Sequence, residues 1–372
     1  MNGNLPGAGA DSLPGPGGSR YCPHESAACQ FGDRLPAAFT QAFIGSTMQL
    51  MTSLVDERAR AVFPFLTGIL LFASILELVL KLLWRMGTYL PLKGVLASIY
   101  FTLTPLQGVL FNLASLLTFI ILGAVVYVAY RGKLWEGGFN LVIIASISLL
   151  LVLSAVGMAL SPSNHLALLY IATSSVSIIA LAGYAVIEMP RLPAKLAVLL
   201  IALAFLSYRY YAAAHIVNNL SGSVSEPFLA IEILALGELL FAVAPFALFV
   251  AHTDVRKPGE ILANRLPLAV ATGVAVAFAA ANVLSPAMTS VYAIWTLGFS
   301  LQHPIIVYVL SAWFLFFTLV ACLKHRETRY IAYALLLIFV SGYTHKLTYH
   351  HLLGLLGLIV LVAGKRMGVS GR

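Results

Sequence analysis

"FNLVIIASISLLLVLSAVGMAL", residues 139–160, contains no charged side chain. A helix over this stretch would rise about 33 Å, enough to cross the roughly 30 Å hydrocarbon core of a bilayer. Comparable runs flank it on both sides. Transmembrane helices are predicted near 62–83, 106–130, 139–160, 165–187, 194–217, 228–251, 266–286, 304–324, 330–345 and 349–364. Only 10% of the chain is charged and 60% is hydrophobic, against roughly 25% charged in a soluble domain. The expected fold class is therefore all-α: a polytopic integral membrane bundle of ten or eleven spans, occupying residues 62–372, with the lipid bilayer as its first partner.

Two further apolar pieces, 92–104 and 288–302, look too short to cross and end beside Pro105 and Pro304. Each precedes a full span. A single helix over 94–130 or 288–324 would run about 55 Å, so a break at each proline is expected, with the short piece dipping into the membrane. The two stretches also align loosely, Ser98 with Ser290, Tyr100 with Tyr292 and Gln107 with Gln302. An internal duplication or chance similarity between apolar helices would produce this.

The N-terminal region has another character. Residues 1–34, opening "MNGNLPGAGADSLPGPGGSR", are rich in Gly and Pro and cannot bury a core, which predicts disorder. No apolar h-region precedes them, so no cleavable signal peptide is expected. Cys22, His24 and Cys29 lack a fourth ligand for zinc. Residues 35–61 carry Phe39, Phe43, Met48, Met51 and Val55 near helical spacing, the pattern of an amphipathic helix on the membrane surface.

The net charge of +8 comes from Lys and Arg placed between the apolar runs. That is the pattern of loops facing an anionic inner leaflet, and it argues against nucleic acid as a partner. Arg131, Lys133, Arg191, Lys195, Arg256, Lys257, Arg265, Lys324, Arg326, Arg329, Lys365 and Arg366 fall on one side. The expected location is the cell membrane, with that side and the C-terminus cytoplasmic. If 92–104 crosses, the tail lies outside; if it dips, the tail lies inside, which the lack of a signal peptide favours.

With this topology His165, His215, His303, His345, His350 and His351 all map to outer helix ends. The functional reading is b-type haem held by imidazoles of facing helices, with Gly354 and Gly357 leaving room for a macrocycle or for a close neighbouring helix. The plainer reading is interfacial trim, since His and Tyr both favour the membrane boundary. Adjacent His350 and His351 also point about 100° apart and cannot serve one site equally.

A second constellation is charged. Arg209 lies about 9 Å below the outer end of its helix, and the next helix carries Glu232 and Glu238. A hairpin about 218–227 places Arg209 level with Glu232 for a structural ion pair, with Glu238 near mid-membrane as a proton carrier or part of a quinone pocket. Pro245 would kink that helix. Glu77 and Lys81, at i,i+4 near a helix end, are expected to pair.

No Walker-type loop, Gly-x-Ser-x-Gly nucleophile or His-Glu-x-x-His helix occurs. Two function classes remain. One is a membrane subunit of a respiratory or related redox complex, holding haem b, reacting with quinone, and meeting an extracytoplasmic redox subunit. The alternative is an ion-coupled secondary transporter using Arg209, Glu232 and Glu238. A non-catalytic assembly subunit is the third.

Overall fold

The computed structural model describes residues 59–89, 93–131, 134–135, 137–159, 163–222, 228–252, 259, 263–284, 305–341 and 349–367, all within the unit Gly45–Arg372. Among them are ten α-helices and no strand: α1 Ala59–Tyr89, α2 Lys93–Tyr130, α3 Gly138–Ala159, α4 Asn164–Glu188, α5 Leu192–Leu220, α6 Phe228–His252, α7 Arg265–Leu284, α8 Ile305–Lys324, α9 Arg329–Ser341 and α10 Tyr349–Ala363. A 3-10 turn, Arg326–Thr328, joins α8 to α9. Each predicted span has its helix. The N-terminal tail, nearly all of the surface helix 35–61, and the segment 288–302 lie outside the described residues.

Five helices, α2 to α6, contain stretches long and apolar enough to cross a membrane, and α1, α8 and α10 carry shorter apolar stretches. Large apolar side chains such as Phe65, Phe72, Phe101, Leu141 and Ile187 stand exposed around the outside. In water such a surface would aggregate; hydrocarbon is the solvent that suits it. The chain is a multi-pass membrane helical bundle.

The expected break at Pro105 does not occur. α2 runs as one helix through Pro105 to Tyr130. A proline removes one helical hydrogen bond and crowds the preceding turn, but Leu103, Leu110, Ala114 and Leu117 still pack against the core. At 38 residues, α2 spans about 57 Å and exceeds the hydrocarbon thickness by roughly 27 Å. Residues 93–104 therefore add no separate crossing, which removes the eleven-span arrangement. α6 likewise runs unbroken through Pro245.

Short connections force successive helices to run antiparallel. α10 is the pillar of the bundle: every residue from Leu352 to Leu361 is buried, and it packs against α2, α4, α5 and α9. A helix apolar all round belongs in such a place. At 15 residues it rises only about 22 Å, which is tolerable because protein rather than lipid surrounds it. A separate core of Phe249, Ala271 and Phe317 ties α7 and α8 to α6.

One face of the bundle gathers helix C-termini and the basic side chains. Arg191 Nη1 donates to the Ala251 carbonyl at 2.7 Å, Arg329 Nε to the Leu323 carbonyl at 3.3 Å, and Lys195 to the Val186 carbonyl. Arg366 Nη1 donates to the Leu134 carbonyl at 3.0 Å and to the Tyr184 hydroxyl at 2.8 Å. Lys324 Nζ meets Asn264 Oδ1 at 3.1 Å, fixing the end of α8 beside the start of α7. Cationic donors here satisfy last-turn carbonyls and complement the negative ends of the helix dipoles.

Candidate functional site around Arg209

Arg209 is the most consequential side chain in the interior. It lies on α5, is only 6% exposed, and its Nε donates to Ser174 Oγ of α4 at 2.8 Å. Ser174 passes the bond on to the Ile171 carbonyl at 2.9 Å. Tyr170, one turn back on α4, is buried within electrostatic range of the guanidinium and beside Ser154 of α3. Thr173 and Ser177 extend the buried hydroxyl strip along α4. Each of these hydroxyls can accept as well as donate, which lets an apolar helix offer oxygen to a buried cation without a second charge.

The register of α5 against α6 is set by Gly237. A Cβ there would collide with Ser207 Oγ and lie 2.7 Å from Ser207 Cβ, so the two helices touch at this level. Counting outward along α5 and back along α6 puts Arg209 level with Ala235. Glu232 and Glu238 then sit about 4.5 Å along the axis to either side. The expected pairing of Arg209 with Glu232 does not form. Glu232 is exposed on the outer face of α6 while Arg209 is buried, and among the described residues no ion pair joins them. Position 238 falls between the buried turns Leu234–Ala235 and Phe241–Ala242; the Glu238 side chain itself lies outside the described residues.

A second register brings the histidine region to Arg209. A Cβ on Gly354 of α10 would meet Phe205 Cζ of α5 at 3.1 Å and Ser341 Oγ of α9 at 2.7 Å. One turn outward from Phe205 is Arg209, and one turn outward from Gly354 is position 350. Arg209, Ser174 and backbone position 350 therefore share a level. Sequence spacing alone could not show this, because α5 and α10 are far apart in the chain.

The other histidines scatter. His165 and His215 are exposed at the same end of the α4–α5 hairpin, and the His215 ring stacks on Tyr211 of its own helix, with centroids 6.2 Å apart. His303 and His345 lie outside the described residues, as do the side chains of His350 and His351 in the first turn of α10. The room that Gly354 and Gly357 were expected to leave is filled by protein. A Cβ on Gly357 would meet Ile338 Cγ1 at 2.6 Å and the Ala334 carbonyl at 3.0 Å. These glycines seat α9 and α5, not a macrocycle. Of the six candidate ligands only His165 and His215 have described side chains, both exposed. Among the described residues no group of three or more His, Cys, Asp or Glu side chains is placed to hold a metal ion.

The chain matches no protein-family model, no curated protein and no solved structure. What it does must be argued from its own residues.

Proposed function

We propose that this chain is a proton-coupled secondary transporter of the cell membrane for small organic anions of the carboxylate class, with its basic face and C-terminus cytoplasmic. The observation that carries the reading is the burial of Arg209 on α5 against α4, with Ser174 as an oxygen partner. A guanidinium at depth costs at least about 2.5–3.5 kcal/mol on insertion scales, and charged residues held there line substrate or ion paths. Its planar fork matches a carboxylate.

Glu238, one turn from Arg209 along the neighbouring helix, supplies the coupling. With no substrate bound, its carboxylate balances the guanidinium. Protonation of Glu238 frees the cation for a substrate anion, so proton and anion cross as a neutral pair. Tyr170 and Ser174 orient the anion through hydroxyl hydrogen bonds. Glu232, exposed on α6, takes no part. The charge asymmetry of the two faces supports the orientation.

The test is flux through the full-length protein reconstituted in liposomes, under an inward proton gradient, with a panel of monocarboxylates and dicarboxylates. Uptake coupled to proton entry is expected, reduced at least about 10-fold in Arg209→Gln. Glu238→Gln should retain anion exchange but lose its dependence on the proton gradient. The redox alternative is the competing outcome. Folded protein that moves none of these anions, and shows a Soret band with a sharp reduced α band, would replace the transporter with a haem b subunit.

A further inference from the structure

The basic face of the bundle holds a cluster of side chains that the Arg209 site does not use. Arg191 is the N-cap residue of α5 and stands exposed. Its Nη1 donates to the Ala251 carbonyl at 2.7 Å, reaching from the α4–α5 turn to the end of α6. That bond sets the guanidinium beside the last residue of α6, His252, which is half-buried and within electrostatic range of it. Tyr330, half-buried in the first turn of α9, lies within the same range of Arg191. The Tyr330 side chain is backed by Gly364 at the end of α10, where a Cβ would lie 2.8 Å from Tyr330 Cδ2.

The anomaly is the missing acid. A guanidinium and an imidazole held this close repel each other once the imidazole is protonated, and an anion between them removes that repulsion. Two carboxylates lie near in sequence and neither serves. Glu188 turns to Arg366, with 4.0 Å between them, and Glu327 stands exposed in the 3-10 turn. Among the described residues no ion pair reaches Arg191 or His252. A guanidinium carries five N–H donors, and the Ala251 carbonyl takes only one of those on Arg191. The His252 ring and the Tyr330 hydroxyl can add donors from two further helices.

We propose that Arg191, His252 and Tyr330 form a binding site for one phosphate group, supplied by the head group of a membrane phospholipid or by a soluble phosphate. The donors belong to three different elements and so approach from different directions. A tetrahedral phosphate offers each its own oxygen, whereas a planar carboxylate is met best by the arginine fork alone. Arg191 supplies the fixed charge, and the imidazole and phenol complete the hydrogen bonding. Exposed Ile187 and Leu192 flank Arg191 in the chain, which suits a head group whose acyl chains lie along the bundle. Basic pockets between helix ends on the cytoplasmic side take such head groups. Asp254, two residues beyond His252 in sequence, is the rival anion within the chain. The site does not depend on the transporter reading.

The experiment is equilibrium binding to the full-length chain in phosphatidylcholine nanodiscs, with radiolabelled inorganic phosphate in one arm and radiolabelled phosphatidylglycerol in the other. One saturable phosphate-bearing molecule per chain is expected. Saturation by the lipid alone identifies a head group, and saturation by inorganic phosphate identifies a soluble ligand. Arg191→Gln should weaken binding at least about 10-fold, and His252→Ala and Tyr330→Phe about 3-fold each, with size exclusion and thermal unfolding showing the variants folded. Should Arg191→Gln fail to fold through loss of its bond to Ala251, the other two variants read the same site. Folded wild type that saturates with neither probe overturns the proposal, whether Asp254 or solvent then balances Arg191. So does saturable binding that His252→Ala and Tyr330→Phe both leave unchanged.

Discussion

The contact between Gly237 of α6 and Ser207 of α5 sets the level of Arg209 relative to both glutamates, and a double-mutant cycle tests it. In Gly237→Ala, the new methyl group would lie 2.7 Å from Ser207 Cβ and closer still to its hydroxyl. Rotating the hydroxyl relieves the second clash but not the first, because a Cβ moves only with its helix. α5 and α6 must separate by several tenths of an ångström, and overpacking of that kind costs about 1–3 kcal/mol. Ser207→Gly alone costs roughly 1 kcal/mol in helix propensity and gives up the bond from Ser207 Oγ to the Ala204 carbonyl at 2.8 Å. The double variant moves the methyl group from one helix to the other and restores the fit. It should be more stable than the sum of the single variants by about 1–2 kcal/mol, a coupling expected only of side chains in contact. Reversible unfolding in mixed detergent micelles, followed by far-UV circular dichroism, reads all four proteins. Additive costs, or a neutral Gly237→Ala, would refute the register and with it the placement of Arg209 between Glu232 and Glu238.

Gly357→Ala should destabilise by about 1–3 kcal/mol through its collision with the α9 backbone, whereas Gly68→Ala should be neutral or slightly stabilising, since no atom lies within 4 Å of its Cβ site; the same unfolding titration separates them. Arg366→Gln should cost about 1–2 kcal/mol by removing a half-exposed charged donor from the Leu134 carbonyl and Tyr184 hydroxyl, and Tyr184→Phe on that background should add little, as differential scanning fluorimetry will show. Single cysteines replacing Arg131 and His215 should react with a membrane-impermeant maleimide from opposite sides of oriented vesicles; labelling from the same side would contradict the alternation of helices α3 to α5.

The helices were legible because each span is a long apolar run bounded by charge or proline. All ten appear within a few residues of their predicted limits where those limits are described, apart from α1 and α2, which extend further. Pro105 misled because a proline signal measures one lost hydrogen bond, while continuity is decided by the packing of the turns on either side. The site was half legible. Arg209 stands out in sequence as a charge inside an apolar run, but its bond to Ser174 depends on which face of α5 meets α4, and periodicity in a uniformly apolar helix does not reveal that. The hairpin register itself was legible: a loop over 218–227 sets Arg209 level with Leu236, within one residue of the Ala235 level that the Gly237–Ser207 contact gives, so a pairing with Glu232 lies about a turn off. Gly354 and Gly357 were readable only as small residues, equally suited to a flat ligand or to a helix.

The basic residues show how one set of side chains meets two demands. Their clustering between spans reads in sequence as an orientation signal, a matter of which loops remain on the side of anionic lipid. In the folded bundle Arg191, Arg329, Lys195 and Arg366 donate to helix or loop carbonyls on that face. In water those carbonyls would bond solvent; at a membrane boundary, where water is scarce, a cation on a long stem is the better donor because its apolar stem remains in the interface while its head caps the helix. The opposite face has few cations among the described residues, and α4 begins there with Ser163 Oγ accepting from the Leu166 N–H at 3.2 Å. A neutral cap thus closes α4 at one end of the bundle, while cationic donors meet carbonyls at the other. The charge asymmetry between the two faces therefore also closes helices, and neutralising any one of these cations should loosen a helix end.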